Sequence, residues 1–221
     1  MNHQTTTYWQ RSALCAALFS FTGALVAQDL QPMSLPPAQF TGGKPFMQVL
    51  QERKSTREFT AEALESQTLA NLLWAAYGTN RPDGHRTVPS AMNSQEMDLY
   101  VFTATGVYLY DSKLNQLTPV KAGDLRPKLS GQAYVKQAPV SLLYVADLAR
   151  LVKAKPEEKD FYAAVDTGYV SQNVYLFCAS EGLGTVVYSV SGTRAELINL
   201  LGLRPEQKPI LAQSIGKPKA K

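Results

Sequence analysis

One run of seven residues, Val140-Ser141-Leu142-Leu143-Tyr144-Val145-Ala146, limits the folds open to this chain more than any other. It has the length of a strand, and its apolar side chains do not alternate with polar ones. A strand that is apolar on both faces needs cover on both, so it belongs in the middle of a sheet. Part of that cover follows directly in the chain. From Asp160 to Ser180 charges are few, and Ala163, Ala164, Val165, Gly168, Val170, Val174, Leu176, Phe177 and Ala179 spread around a helical circumference. This predicts one long helix buried on most sides and ended by Gly182-Leu183-Gly184. Polar interruptions make it a core helix rather than a membrane span.

Other segments set the kind of sheet. Residues 98–104 and 106–111 have strand character and flank the turn signal Thr105-Gly106, which predicts an antiparallel hairpin that Leu117 to Val120 extends. Thr185 to Val190 and Pro209 to Ile215 read as further strands, and Arg194 to Leu201 as a short helix. Upstream, Phe46, Val49 and Leu50 form a helical stripe, and Leu64, Leu69, Leu72, Leu73, Ala76 and Tyr77 predict a helix over 61–77 with Gly78 as its stop. Thr79 to Ser94 is rich in Asn, Pro, Gly and Ser and reads as a loop on the surface or beside a site. Helices and strands interleave irregularly around a hairpin, so the fold class is α+β, a central mixed and mostly antiparallel sheet flanked by helices.

The N-terminal region stands apart. Arg11 precedes an uncharged run, Ser12 to Ala27, that is short for a membrane span and ends in small residues. Residues 1–27 therefore read as a signal peptide cleaved near Ala24 or Ala27, which predicts an exported, periplasmic or extracellular protein with no membrane attachment after cleavage. An uncleaved anchor is the alternative. Gln28 to Gly43, with Pro32, Pro36, Pro37, Gly42 and Gly43, reads as an extended leader, leaving 44–221 as one domain. Past the signal one cysteine remains, Cys178, in the apolar stretch Val174 to Ala179. A buried, inert thiol is expected, and no intramolecular disulfide can form.

The chemistry concentrates in Arg53-Lys54-Ser55-Thr56-Arg57. Guanidinium forks, an ammonium and a hydroxyl suit a phosphate monoester. A solvated basic helix end is the competing reading. Outside this cluster and the Lys217/Lys219/Lys221 tail the basic residues are scattered, and the formal charge of +4 does not make the broad basic face that nucleic-acid binding requires. The sequence has no GxGxxG after a first strand, no Walker-type loop and no CxxC. Its histidines are His3 and His85, too few for a metal set; a Ser-His-Asp hydrolase would need His85 as its base, and no nucleophile elbow is present.

Four motifs, in order, resemble one family. Arg53-Lys54-Ser55-Thr56-Arg57-Glu58-Phe59 resembles the Arg-x-Ser-x-Arg-x-Phe opening of FMN-dependent nitroreductase-like oxidoreductases, and Pro89-Ser90-Ala91-Met92-Asn93-Ser94-Gln95 resembles their Pro-Ser-Ala-Gly-Asn-x-Gln loop. Asp166 to Gly184, through Gln172-Asn173, is similar to the family's central helix and turn, and Ile215-Gly216-Lys217-Pro218 to its closing Gly-x-Pro. The likeness spans residues 44–219. The long loop before the Pro-Ser motif and the tyrosine-rich hairpin look most like the SagB-type dehydrogenase branch.

The resemblance implies a nitroreductase-like homodimer with FMN at the interface. Arg53, Lys54, Ser55 and Arg57 would hold the phosphate and ribityl chain, with Lys217 closing that side. Pro89, Ser90, Ala91 and Asn93 would reach the flavin from the partner subunit, and Val187, Tyr188 and Ser189 would run beside the ring. Met92 stands where small residues are common. Tyr108, Tyr110 and Tyr188 are candidate pocket walls, which core packing explains as well. The implied chemistry is ping-pong: a reductant passes hydride to flavin N5 and leaves, then an acceptor takes electrons from the same face. No dedicated catalytic side chain is needed, and none is evident. Substrates would be small molecules or peptides, and export favours a dehydrogenase or an enzyme reduced by a separate redox partner over one using cytoplasmic NAD(P)H. The alternative is a non-catalytic flavin- or ligand-binding module on the same fold.

Overall fold

The computed structural model describes Met1 and residues 30–220, so the signal-peptide reading lies, Met1 apart, outside the described residues. Seven strands form one sheet: β1 (Met33–Ser34), β2 (Met97–Phe102), β3 (Gly106–Asp111), β4 (Gln116–Ala122), β5 (Val140–Asp147), β6 (Gly184–Ser189) and β7 (Gln207–Gly216). Their order is β1-β4-β3-β2-β5-β7-β6. Every pairing is antiparallel, so the sheet is purely antiparallel where mixed pairing was also expected. The reason is topological. β5 and β6 point the same way, but β7 returns between them, so no parallel neighbours meet.

All of β5 is buried, and the alternation of its side chains explains its composition. Val140, Leu142, Tyr144 and Ala146 join one apolar cluster with Leu69, Leu72 and Leu73 of α2 (Ser66–Tyr77) and Val170, Val174 and Cys178 of α4 (Lys159–Ser180). Leu143 and Val145 face the opposite cluster, with Val135 of α3 (Ala133–Gln137) and Leu197 of α5 (Arg194–Leu201). Each buried aliphatic side chain in these clusters contributes about 1.5–3 kcal/mol relative to exposure.

Several boundaries differ from the sequence expectation. Helix α2 begins at Ser66, not Ala61, because Glu65 is extended at φ −62°, ψ 147°. Gly78 ends α2 in an extended rather than a left-handed conformation, and its lack of a side chain matters for space: a Cβ would lie 2.4 Å from the Trp74 ring. Helix α4 closes through Gly182 at φ +70°, where the Leu183 N–H reaches the Cys178 carbonyl at 2.7 Å. It is not buried all round, since Phe161 and Tyr169 are 66% and 45% exposed and Ala164, Gly168 and Gln172 share their outward stripe. The stripe on α1 (Phe46–Glu52) is likewise exposed at Phe46 and Leu50, with Val49 alone buried.

Residues 30–43 run across the domain. Met33 and Ser34 pair with Leu117 and Gln116, and Leu35 enters the core. Asn115 Nδ2 donates to the carbonyls of Leu35 and Pro36, Asn71 Oδ1 accepts from Gln39 N, and Phe40 packs on Trp74 with ring centroids 4.7 Å apart and the rings tilted by 57°.

Candidate functional site

The basic cluster is shaped by the end of α1. Arg53 N donates to the Val49 carbonyl as the last helical bond, and at ψ 121° Arg53 then turns the chain into an extended run. That run lies along the outer edge of β6, the last strand of the sheet. Thr56 N donates to the Thr185 carbonyl at 2.8 Å, Thr60 N to the Lys217 carbonyl at 2.9 Å, and Lys219 N to the Glu58 carbonyl at 3.1 Å. Phe59 is the anchor, 1% exposed and bridged to Pro218. Gly184 permits the approach, since a Cβ there would lie 2.9 Å from Thr56 Cγ2.

Between this run and the last two turns of α4 opens a cleft of about 860 Å³, lined by Arg53, Lys54, Ser55, Thr56 and Arg57 together with Tyr175 and Lys219. None of Arg53, Lys54 and Arg57 forms an ion pair among the described residues. The nearest acidic neighbour in sequence, Glu52, is already held by Lys44 at 2.6 Å, and that hydrogen bond keeps its carboxyl below the usual carboxylate range. Glu52 and Glu58 also line the cleft, but neither is ion-paired to Arg53, Lys54 or Arg57, so these three cations are available to an anionic ligand. Tyr175 organises the wall. Its hydroxyl lies 2.8 Å from Ser55 Oγ and accepts the Val187 N–H at 3.1 Å, and the Arg53 guanidinium sits over its ring at 5.2 Å.

Other residues singled out in the sequence lie elsewhere. Lys217 turns its ammonium to Glu62 at 2.5 Å, and the cation bordering the cleft is Lys219 instead. Val187 is half-buried with its N–H taken by Tyr175; Ser189 is exposed and donates to Ser191. Tyr188 belongs to the core, 7% exposed and edge-on to Tyr134, and Tyr108 and Tyr110 are also core residues. Pro89, Ser90, Ala91 and Asn93 form a separate tight loop, in which Met92 and Asn93 both take left-handed conformations at φ +53°. Ser90 Oγ accepts the Gln95 N–H at 2.9 Å and Asp166 of α4 accepts the Ala91 N–H at 2.7 Å. Asp166 and Tyr175 are nine residues apart on α4, about 14 Å of helical rise. Within one chain, then, α4 holds the loop near one end and the cationic run near the other, and the two do not meet.

Beside that loop, Glu96 is fully enclosed and neither carboxyl oxygen has a hydrogen-bond partner while ionised. Burial, reinforced by the neighbouring Asp166 carboxyl, pushes it up to about 7. A proton on Glu96 lets it donate to Asp166.

The sequence reading missed Tyr175 and Lys219. For Tyr175 a signal existed: Tyr175, Cys178, Ala179 and Gly182 all line the cleft, at the spacing of one helical face.

Comparison with known proteins follows the same motifs. The sequence model of the nitroreductase family matches residues 50–217. A candidate nitroreductase of Methanocaldococcus jannaschii is 30% identical over 179 residues, 76% of this chain and 89% of that protein. The FMN reductase [NAD(P)H] of Bacillus subtilis is 28% identical over 182 residues, covering 76% of this chain and 64% of that protein. A crystal structure of a candidate nitroreductase from Ralstonia eutropha superposes with a TM-score of 0.82 at 37% identity, covering 87% of this chain and 91% of that one.

Proposed function

This chain belongs to the nitroreductase family, and from that premise we propose that it is an exported, FMN-dependent oxidoreductase that works as a homodimer. The observation that carries the reading is the set of three cations outside any ion pair among the described residues, Arg53, Lys54 and Arg57, around one cleft of about 860 Å³. The donor set fits a phosphate monoester, and the volume lies in the range of small-molecule sites. Arg53, Lys54, Ser55, Arg57 and Lys219 would hold the phosphate end. When bound, FMN supplies hydride and electron transfer in two successive half-reactions.

The chain's own residues then bind, orient and enclose. Loop 89–93 is rigid enough to border a ring from outside, since Ala91 and Gln95 N–H groups are both tied to side chains. It lies away from the cleft of its own chain, so a second copy would supply it. The exposed stripes of α1 and α4, with Phe46, Leu50, Phe161 and Tyr169, are apolar surfaces that such a copy would cover. The signal-like segment at 1–27 supports export, and export separates the enzyme from cytoplasmic NAD(P)H. This favours a SagB-type dehydrogenase, or an enzyme reduced by a separate redox partner, acting on a small molecule or peptide.

Purified protein should bind FMN and run as a dimer on size-exclusion chromatography with light scattering. Arg53→Ala/Arg57→Ala should lose FMN by roughly 100-fold or more, given about 1.5–3 kcal/mol per charged hydrogen bond. A monomer, or wild-type protein that takes up no flavin, contradicts the reading. Photoreduced holoenzyme screened against quinones and nitroaromatics as acceptors, and oxidised holoenzyme screened against azoline peptides as donors, would identify the substrate.

A further inference from the structure

The Val187 N–H, the Tyr175 hydroxyl and the Ser55 hydroxyl form a chain that ends in the cationic cleft. Its direction follows from donor counting. A backbone N–H only donates, so the Tyr175 oxygen accepts from Val187 at 3.1 Å. Either hydroxyl could donate across the 2.8 Å contact with Ser55 Oγ, but the Tyr175 proton has no other acceptor among the described residues, which leaves Ser55 as its partner. Ser55 accepts that proton, and its own is left to point into the cleft it lines. β6 is an edge strand, so without Tyr175 the Val187 N–H would face outward with no ladder partner.

The same ring carries the Arg53 guanidinium on its face, at 5.2 Å from the centroid. Tyr175 is 7% exposed, so its position is fixed by packing within the core side of α4. One side chain thus sets the protonic sense of Ser55 and the location of Arg53, two groups that face the cleft.

We propose that Tyr175 is a positioning residue for phosphate recognition, which fixes Ser55 as a donor and Arg53 as its neighbour so that the cleft selects an acceptor-only phosphate monoester over an uncharged hydroxyl. This rests on the flavin reading above and deepens it: the site discriminates FMN from riboflavin through a residue outside the basic motif. A riboflavin hydroxyl can donate as well as accept, and gains little from a row of donors. A phosphate dianion is matched by them.

The test is flavin binding to the apoprotein, measured by quenching of flavin fluorescence with FMN and with riboflavin, for wild type, Tyr175→Phe, Ser55→Ala and the double variant. Tyr175→Phe keeps the ring under Arg53 and removes only the hydroxyl. It should weaken FMN roughly tenfold and riboflavin by less than about twofold. Ser55 is exposed, so Ser55→Ala leaves the fold intact and should show the same split. The double variant should be no weaker than either single one, because both break one chain. Equal losses for FMN and riboflavin, unchanged FMN affinity in Tyr175→Phe, or additive losses overturn the inference while the flavin reading stands. Wild-type protein that binds neither flavin overturns both.

Discussion

Replacing Glu96 by Gln should make the protein more stable above neutral pH, although it removes a charge. Glu96 precedes β2, is 0% exposed, and has the Asp166 carboxyl of α4 beside it, with Arg150 contributing a weaker field of opposite sign. Its folded-state value of about 7 stands above the ordinary 4.5. Below about pH 4.5 both folded and unfolded chains hold the proton, and the group costs nothing. Between there and pH 7 the unfolded chain releases it while the folded chain keeps it, so stability falls as pH rises. At about 1.36 kcal/mol per pH unit the loss by pH 8 is at most about 3 kcal/mol. Gln is nearly isosteric and donates permanently to Asp166, so the variant lacks this slope. Thermal unfolding at pH 5 and pH 8 measures it. For a domain of this size the wild type should lose up to about 6–12 °C more than Glu96→Gln across that interval. Identical pH dependence in the two proteins would refute the assignment of a buried, partnerless carboxyl.

Three further outcomes are expected. Gly184→Val should destabilise by about 1–3 kcal/mol and weaken FMN as well, because its Cβ meets Thr56 at 2.9 Å and Phe59 at 3.2 Å and displaces the basic run; unchanged affinity and melting temperature would contradict that packing. Cys178, fully buried and with its thiol pushed far up by burial, should resist maleimide in a Cys15→Ser background until the protein unfolds, so stoichiometric labelling of folded protein within minutes would count against it. Gln213→Leu should cost about 2–4 kcal/mol in urea unfolding, because Gln213 accepts from Tyr144 and Ser171 at 2.7 and 2.8 Å, two buried hydroxyls left unpaired without it, while Thr185, to which it donates at 3.0 Å, keeps its own bond to the Ser214 carbonyl.

Local periodicity made most of the fold legible. β5 and α4 are long, apolar and bounded by turn residues, and β2 and β3 flank a short turn, so their patterns survive in the sequence alone. What was hidden is short or non-local. β1 has two residues and α3 five, below the length at which any period shows. The start of α2 depended on one extended residue, Glu65, inside a pattern that continued through Leu64. In the site, the basic run was visible as composition, but Tyr175 lies 120 positions from Ser55 and read as part of an apolar helix. The Lys217–Glu62 pair spans 155 positions, so nothing local reveals that this lysine faces away from the cleft. Glu96 and Asp166 looked like ordinary polar residues until folding enclosed them together.

The place of β7 bears on how the protein comes into being. It follows the other six strands in the chain, yet it lies between β5 and β6, pairing with β5 along nearly its full length and with β6 from Leu211 to Gly216. While a chain is still growing, β5 has one open edge and β6 has no partner, and the segment from Lys217 to Lys219 that anchors the basic run does not yet exist. A chain cut short before Gln207 therefore keeps the pairings among β1 to β5 but leaves β6 without a strand partner and the basic run without its Lys217–Lys219 anchor, so the ligand cleft is the last part of the domain to form.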